Sequence, residues 1–145
     1  MELKPSKFYE NYRNNSLDKV SIINILITLI ENNDEDLIRK ECIDILNKID
    51  FNNEKVFNIL ENILLSEANE DLRSSAAQVI GNKFLKKALT PFLWVLQYET
   101  SYKCLITIFK SFQENRNSGE KDEGGRVYYE PVQLISCILP EALIR

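Results

Sequence analysis

Part of this chain is written twice. Residues 36–46 read DLIRKECIDIL and residues 71–80 read DLRSSAAQVI. With Arg39 set on Arg73, Ile38 meets Leu72, Cys42 meets Ala76 and Leu46 meets Ile80. Upstream, Ile30 meets Leu64 at the same step, and the acidic stretches Glu31–Asp36 and Glu67–Asp71 correspond. The step falls in the range of roughly 20–50 residues that marks stacked supersecondary units, none of which can bury its apolar face alone. A third, weaker copy follows: an amphipathic run at 87–96, a polar break at Glu99-Thr100-Ser101, then an apolar run at 102–109. In this register Lys103 takes the arginine slot, and the loop of the third copy is shortened.

Each unit reads as two helices. Ile22, Ile25, Leu26, Leu29 and Ile30 recur at i, i+3, i+4, i+7 and i+8, which is one face of a helix over 18–32. Ile38, Cys42, Ile45, Leu46 and Ile49 make the same stripe over 35–49, and Val56, Ile59, Leu60, Ile63 and Leu64 mark the next helix. Asp34, Asn52 or Asn53, and Asn69 are expected N-caps, whose side-chain oxygens accept from the free N–H groups of a first turn. Links this short make neighbouring helices antiparallel. Period-two alternation is nearly absent, so strands are not expected; Arg126-Val127-Tyr128-Tyr129 is the exception that could extend locally. Pro5 suits the opening of a short helix carrying Phe8, Tyr9 and Tyr12. Segment 113–125 has no apolar residue and reads as a mobile loop, with no anchor in a core. Pro131 then starts a last helix with Val132, Leu134, Ile135, Ile138 and Leu139, which Pro140 should break. The expected fold is all-α: hairpins at about 18–50, 52–84 and 86–113, a loop at 114–125, and capping helices at both ends, the second at 130–143.

The pattern Asp34-x-x-x-Ile38-Arg39-x-x-Cys42-x-x-x-Leu46, after an amphipathic helix, resembles the HEAT repeat family, as do Leu72-Arg73, Ala76-Ala77 and Ile80-Gly81. The run Ala88-Leu89-Thr90-Pro91-Phe92-Leu93 looks like the first helix of a HEAT unit, which proline often bends. The likeness covers about residues 18–113. It implies a right-handed, armadillo-like α-solenoid whose second helices line a concave face, with protein binding as its work and no particular chemistry. The exposed positions of those second helices are Lys40, Asp44, Asn47, Ser74 and Gln78, which become the expected partner-binding surface. Trp94 joins them because aromatic side chains are frequent hot spots. The alternatives are a HEAT-like enzyme or enzyme accessory, of lyase or nucleic-acid-acting type, and a building block of a larger assembly.

Composition narrows the chemistry. There is no histidine, which removes the Ser-His-Asp triad, the Cys-His pair and every histidine metal site. Cys42, Cys104 and Cys137 sit in apolar helical contexts with no CxxC spacing and read as buried thiols of a reduced, cytoplasmic protein. The opening residues MELKPSKFYENYRNN hold no apolar run, and the longest apolar stretch, 20–30, is interrupted by Ser21, Asn24 and Thr28, so neither a signal peptide nor membrane association is expected. A net charge of −4 argues against nucleic acid. The one basic cluster, Lys83, Lys86 and Lys87, reads as the last turn of a helix, where cations suit the negative dipole end. The acidic stretch at 31–36 offers oxygen ligands but lacks the order of a calcium loop, so no metal and no cofactor is expected. No carboxylate stands isolated in an apolar stretch, as a general acid with a raised pKa must. The chain therefore reads as a non-enzyme. Arg39 and Arg73 read as ion-pairing rungs between units rather than as an anion grip. Finally, the slots of Glu41, Asp44 and Lys48, and of Ser75, Gln78 and Asn82, are filled in the third copy by Leu105, Ile108 and Phe112. Exposed together, these three would form an apolar patch, covered by the final helix or used as a homo-oligomer interface.

Overall fold

Side-chain oxygens set where several of the helices begin. Asp18 accepts from the Ser21 N–H at 2.7 Å and opens α2, Lys19–Asn32. Asn53 accepts from the N–H groups of Lys55 and Val56 and opens α4, Glu54–Ser66. Asn69 accepts from the Asp71 N–H at 2.8 Å and opens α5, Glu70–Lys83. Such a cap stabilises a helix by about 1 kcal/mol. The expected cap at Asp34 is corrected. The Glu35 N–H donates to Asn33 Oδ1 at 2.8 Å, so the asparagine takes the turn and α3 runs Asp36–Leu46 with no side-chain cap. Asp36 then lies in the first turn, at the positive end of the dipole.

The structure, a computed structural model, describes residues 3–117, with the side chains of residues 112 and 114–117 outside that description. Three further helices complete the order: α1, Pro5–Arg13, ahead of the repeats, then α6, Leu85–Tyr98, and α7, Tyr102–Asn117. Among the described residues there is no strand. α1 closes on Asn15 at φ 62°, a conformation asparagine tolerates, with Asn15 N–H donating to Tyr12 O and Ser16 N–H to Asn11 O. α7 runs four residues into the stretch expected as a loop. The remainder of that loop, the strand-like residues 126–129, the helix at 130–143 and Cys137 lie outside the described residues.

The hairpins align with one another. α3, α5 and α7 pack side by side, with α5 in the middle, and α4 packs beside α6. α2 lies on α3, α4 on α5, and α6 on α5 and α7. α1 rests on α2 and α3 at the first end, with Tyr9 and Tyr12 against the core. The expected stripes supply that core: Ile22, Leu26, Leu46, Leu60, Leu72 and Phe92 are fully buried. α5 and α7 approach closely at Gly81, where a Cβ would lie 2.5 Å from Ser111 Oγ.

Two expectations fail on register. The first-turn bond Arg73 N–H to Asn69 O has its counterpart in Leu105 N–H to Ser101 O, both at 3.2 Å. Leu105, not Lys103, therefore falls in the arginine slot, and Ile108 aligns with buried Ala76. The third unit is set closer than the second because Phe84 alone joins α5 to α6, whereas residues 47–53 join α3 to α4. Matching one cation with another overstated that shortening. Leu105 is 9% exposed and Ile108 0%, so neither forms a surface patch or an oligomer interface; the Phe112 side chain lies outside the described residues. The lysine cluster is also split. Lys83 ends α5, but Lys86 and Lys87 open α6 at its positive end. Lys87 is offset there by an ion pair with Glu54 of α4, and it lies 5.4 Å over the Phe57 ring.

Candidate functional site

The repeated arginines join one hairpin to the next. Arg39 donates through Nε to Ile30 O at 3.0 Å and through Nη2 to Glu67 Oε2 at 2.9 Å. Arg73 donates through Nη1 to the carbonyls of Glu67 and Ala68, at 2.7 and 2.9 Å. Its Nε and Nη2 grip both oxygens of Glu99, each at 2.9 Å. Each guanidinium thus satisfies carbonyls near the link in its own hairpin and holds the glutamate that ends the first helix of the next. Burial pushes the Glu99 carboxyl up, but the Arg73 fork and the N–H groups of Ser101 and Thr100 outweigh it and hold the carboxyl below its ordinary value. Hydrogen bonding to Glu99 in turn raises Arg73, and bonding to Glu67 raises Arg39. These contacts use the arginines in stacking, as expected. Glu67 and Glu99 were not singled out beforehand. The signal was there: a glutamate follows the last apolar turn of each of these two first helices.

Between the side-by-side second helices lies a shallow groove of about 340 Å³. All five residues expected to bind a partner, Lys40, Asp44, Asn47, Ser74 and Gln78, line it, but Ser74 is not exposed as expected: it is buried, its hydroxyl turned to Thr107 of α7. Trp94 does not. It stands exposed on α6, its ring 4.6 Å from that of Tyr98. The groove walls carry paired opposite charges: Lys40 Nζ meets Asp44 Oδ2 at 2.8 Å, and Lys103 pairs with Asp71. That pairing lowers the Asp71 carboxyl and raises the Lys103 ammonium. Asn82 donates to Asn47 Oδ1 at 3.0 Å, and the hydroxyls of Ser74 and Thr107 are 2.7 Å apart. The lining combines these paired charges with neutral hydrogen-bonding side chains such as Asn47 and Gln78.

Within the acidic stretch at 31–36, two side chains have structural partners. Asp36 accepts from Asn69 Nδ2 at 3.0 Å and pairs with Arg39, while Asn33 takes the turn before α3. Among the described residues no three His, Cys, Asp or Glu side chains are grouped to hold a metal ion. Burial, helped by the Glu41 carboxylate, pushes the Cys42 thiol up to about 12; burial and Glu99 do the same to Cys104. The thiolate is the nucleophile. In the folded protein at pH 8 both thiols should therefore resist iodoacetamide, reacting about a thousandfold more slowly than in urea. Peptide-level mass spectrometry checks this, and rapid labelling of either thiol in the folded state would contradict it.

The chain matches no protein-family model, no curated protein and no solved structure. Among the described residues no helix is long and apolar enough to cross a membrane.

Proposed function

We propose that this chain is a non-catalytic protein-binding module of three HEAT-like hairpins, α2–α3, α4–α5 and α6–α7, which holds a protein partner along the groove of its second helices. The observation that carries this reading is the composition of the groove. Lys40 and Ser74 occupy one slot of successive units, and Asp44 and Gln78 occupy another, each pair related by the step that takes Arg39 to Arg73. Stacking brings equivalent positions of neighbouring repeats onto one continuous surface, the arrangement that lets a repeat array bind an extended partner. The two free, buried thiols support a binding role over a nucleophilic one and suit a reducing, cytoplasmic setting.

Substitution in the groove tests it. The chain is immobilised, and proteins of its source cells are captured on it at physiological salt. Gln78→Arg should weaken capture about tenfold, as loss of a central contact does. Gln97→Arg, on the exposed face of α6, should leave capture intact, and both variants should keep the native melting temperature. Full capture by Gln78→Arg would overturn the groove as the site. Loss on Trp94→Ala alone would move it to α6.

A further inference from the structure

α7 turns one side to α5. Thr107 lies there against Ser74, and Ser111 against Gly81. Tyr102, Ile106 and Phe109, spaced i, i+4 and i+7, fall on the side turned away from α5. Tyr102 is 72% exposed and Ile106 43%. α6 has a matching stripe. Lys87 reaches toward α4, and Leu89, Leu93 and Leu96 lie roughly half a turn round the helix from it, each half-buried. α6 and α7 pack together; Leu89, Leu93, Leu96 and Phe109 lean on the core and stay partly exposed, while Tyr102 and Ile106 stand out from it, so the outer side of the last hairpin is lined by apolar side chains. At the first end the chain covers its own opening, with α1 laid over α2 and α3.

We propose that residues 131–139 of this same chain cover the apolar end of α6 and α7. Val132, Ile135, Ile138 and Leu139 recur at i, i+3, i+6 and i+7, the spacing of one helical stripe. The segment can reach. Between Asn117 and Pro131 lie residues 118–130, which at about 3.3 Å each span some 40 Å. α7 has 16 residues and is about 24 Å long, so the segment can return along its full length. Apolar side chains grouped on one outer side are ones that soluble chains tend to keep covered. No groove residue belongs to this face, so the inference stands apart from the proposed binding role.

The experiment places a thiol on the face in the full chain, by Ile106→Cys with Cys137→Ser, and follows its alkylation by iodoacetamide. The buried thiols of Cys42 and Cys104 serve as slow internal references. A second chain adds Val132→Asp and Ile135→Asp. Covering predicts labelling at position 106 about tenfold slower in the first chain than in the second, at every protein concentration, because opening must precede reaction. Equal rates in two helical, monomeric chains would overturn the proposal. So would protection that grows with concentration alongside dimerisation, which would make a second copy the cover. Should the aspartates unfold the chain, Ile106→Cys with Ile135→Cys, in the Cys137→Ser background, decides. Covering predicts an intramolecular disulfide on mild oxidation, and failure to close overturns it.

Discussion

Arg73→Ala should lower the stability of the fold by about 3 kcal/mol in urea titrations at neutral pH. The change takes the cation from the Glu99 carboxylate, 7% exposed, leaving it only the N–H groups of Thr100 and Ser101, and removes the donor from two backbone carbonyls. Removing one partner of a buried ion pair has a cost of this order, because the remaining charge stays desolvated. Arg39→Ala should cost about half as much, since Glu67 accepts a single bond and is 22% exposed. Arg73→Lys should restore little, because an ammonium cannot reproduce the two parallel bonds of the fork. Acid supplies an independent check. The folded Glu99 carboxyl lies below its ordinary value of 4.5. Its contribution is therefore fully present above that value and is lost as pH falls through the lower, folded value. The stability gap between native and Arg73→Ala chains should narrow from pH 7 to pH 3. A gap that stays constant, or is absent at pH 7, would mean that the joint does not hold the hairpins.

Gly81→Ala should also destabilise, by about 2 kcal/mol, the cost of overpacking a well-filled contact. The sign is the informative part. In a helix interior alanine is favoured over glycine by about 1 kcal/mol, so on propensity alone the change would stabilise α5. The Cβ, however, would lie 2.5 Å from Ser111 Oγ and 2.6 Å from Ser111 Cβ. Ser111→Gly should give back much of the loss when combined with Gly81→Ala, although alone it removes the hydroxyl that donates to Thr107 O. A stabilised Gly81→Ala chain, or a double variant no better than Gly81→Ala alone, would contradict the close approach of α5 and α7.

The local layers of the fold were legible because their causes are local. Stripes such as Ile22–Leu26–Ile30 encode a buried face within two turns, and Asn53 and Asn69 announce helix starts through their own hydrogen-bonding chemistry. Competition between neighbours was harder to read. Asn33 and Asp34 both stand just ahead of α3, and it is Asn33 that accepts, from the Glu35 N–H before the helix begins, while no side chain caps the first turn itself. The third unit misled because α5 passes into α6 through Phe84 alone, which changes the repeat step. Matching Lys103 to Arg73 by charge then shifted the register by two residues and moved buried Leu105 and Ile108 onto a polar slot. On a helix, two residues are more than half a turn. The groove was legible where it follows the repeat, at Lys40 and Ser74 and at Asp44 and Gln78. The ion pair of Lys103 with Asp71, and the grip of Arg73 on Glu99, join residues far apart in the chain that no local pattern connects.

The leucine at position 105 limits how this array can grow. Arg39 and Arg73 each hold a glutamate from the hairpin that follows, and the third hairpin presents Leu105 at the equivalent position. A tandem copy of the second hairpin grafted after α7 would bring its own capping carboxylate against an aliphatic side chain and bury it without a cation. That penalty is about several kcal/mol before any contact compensates. Lengthening by simple duplication is thus disfavoured at this end, whereas a copy inserted between the first and second hairpins would find an arginine before it and a glutamate after it. Among the described hairpins this joint therefore has a direction: insertion is expected to be tolerated between the first two and penalised after the third.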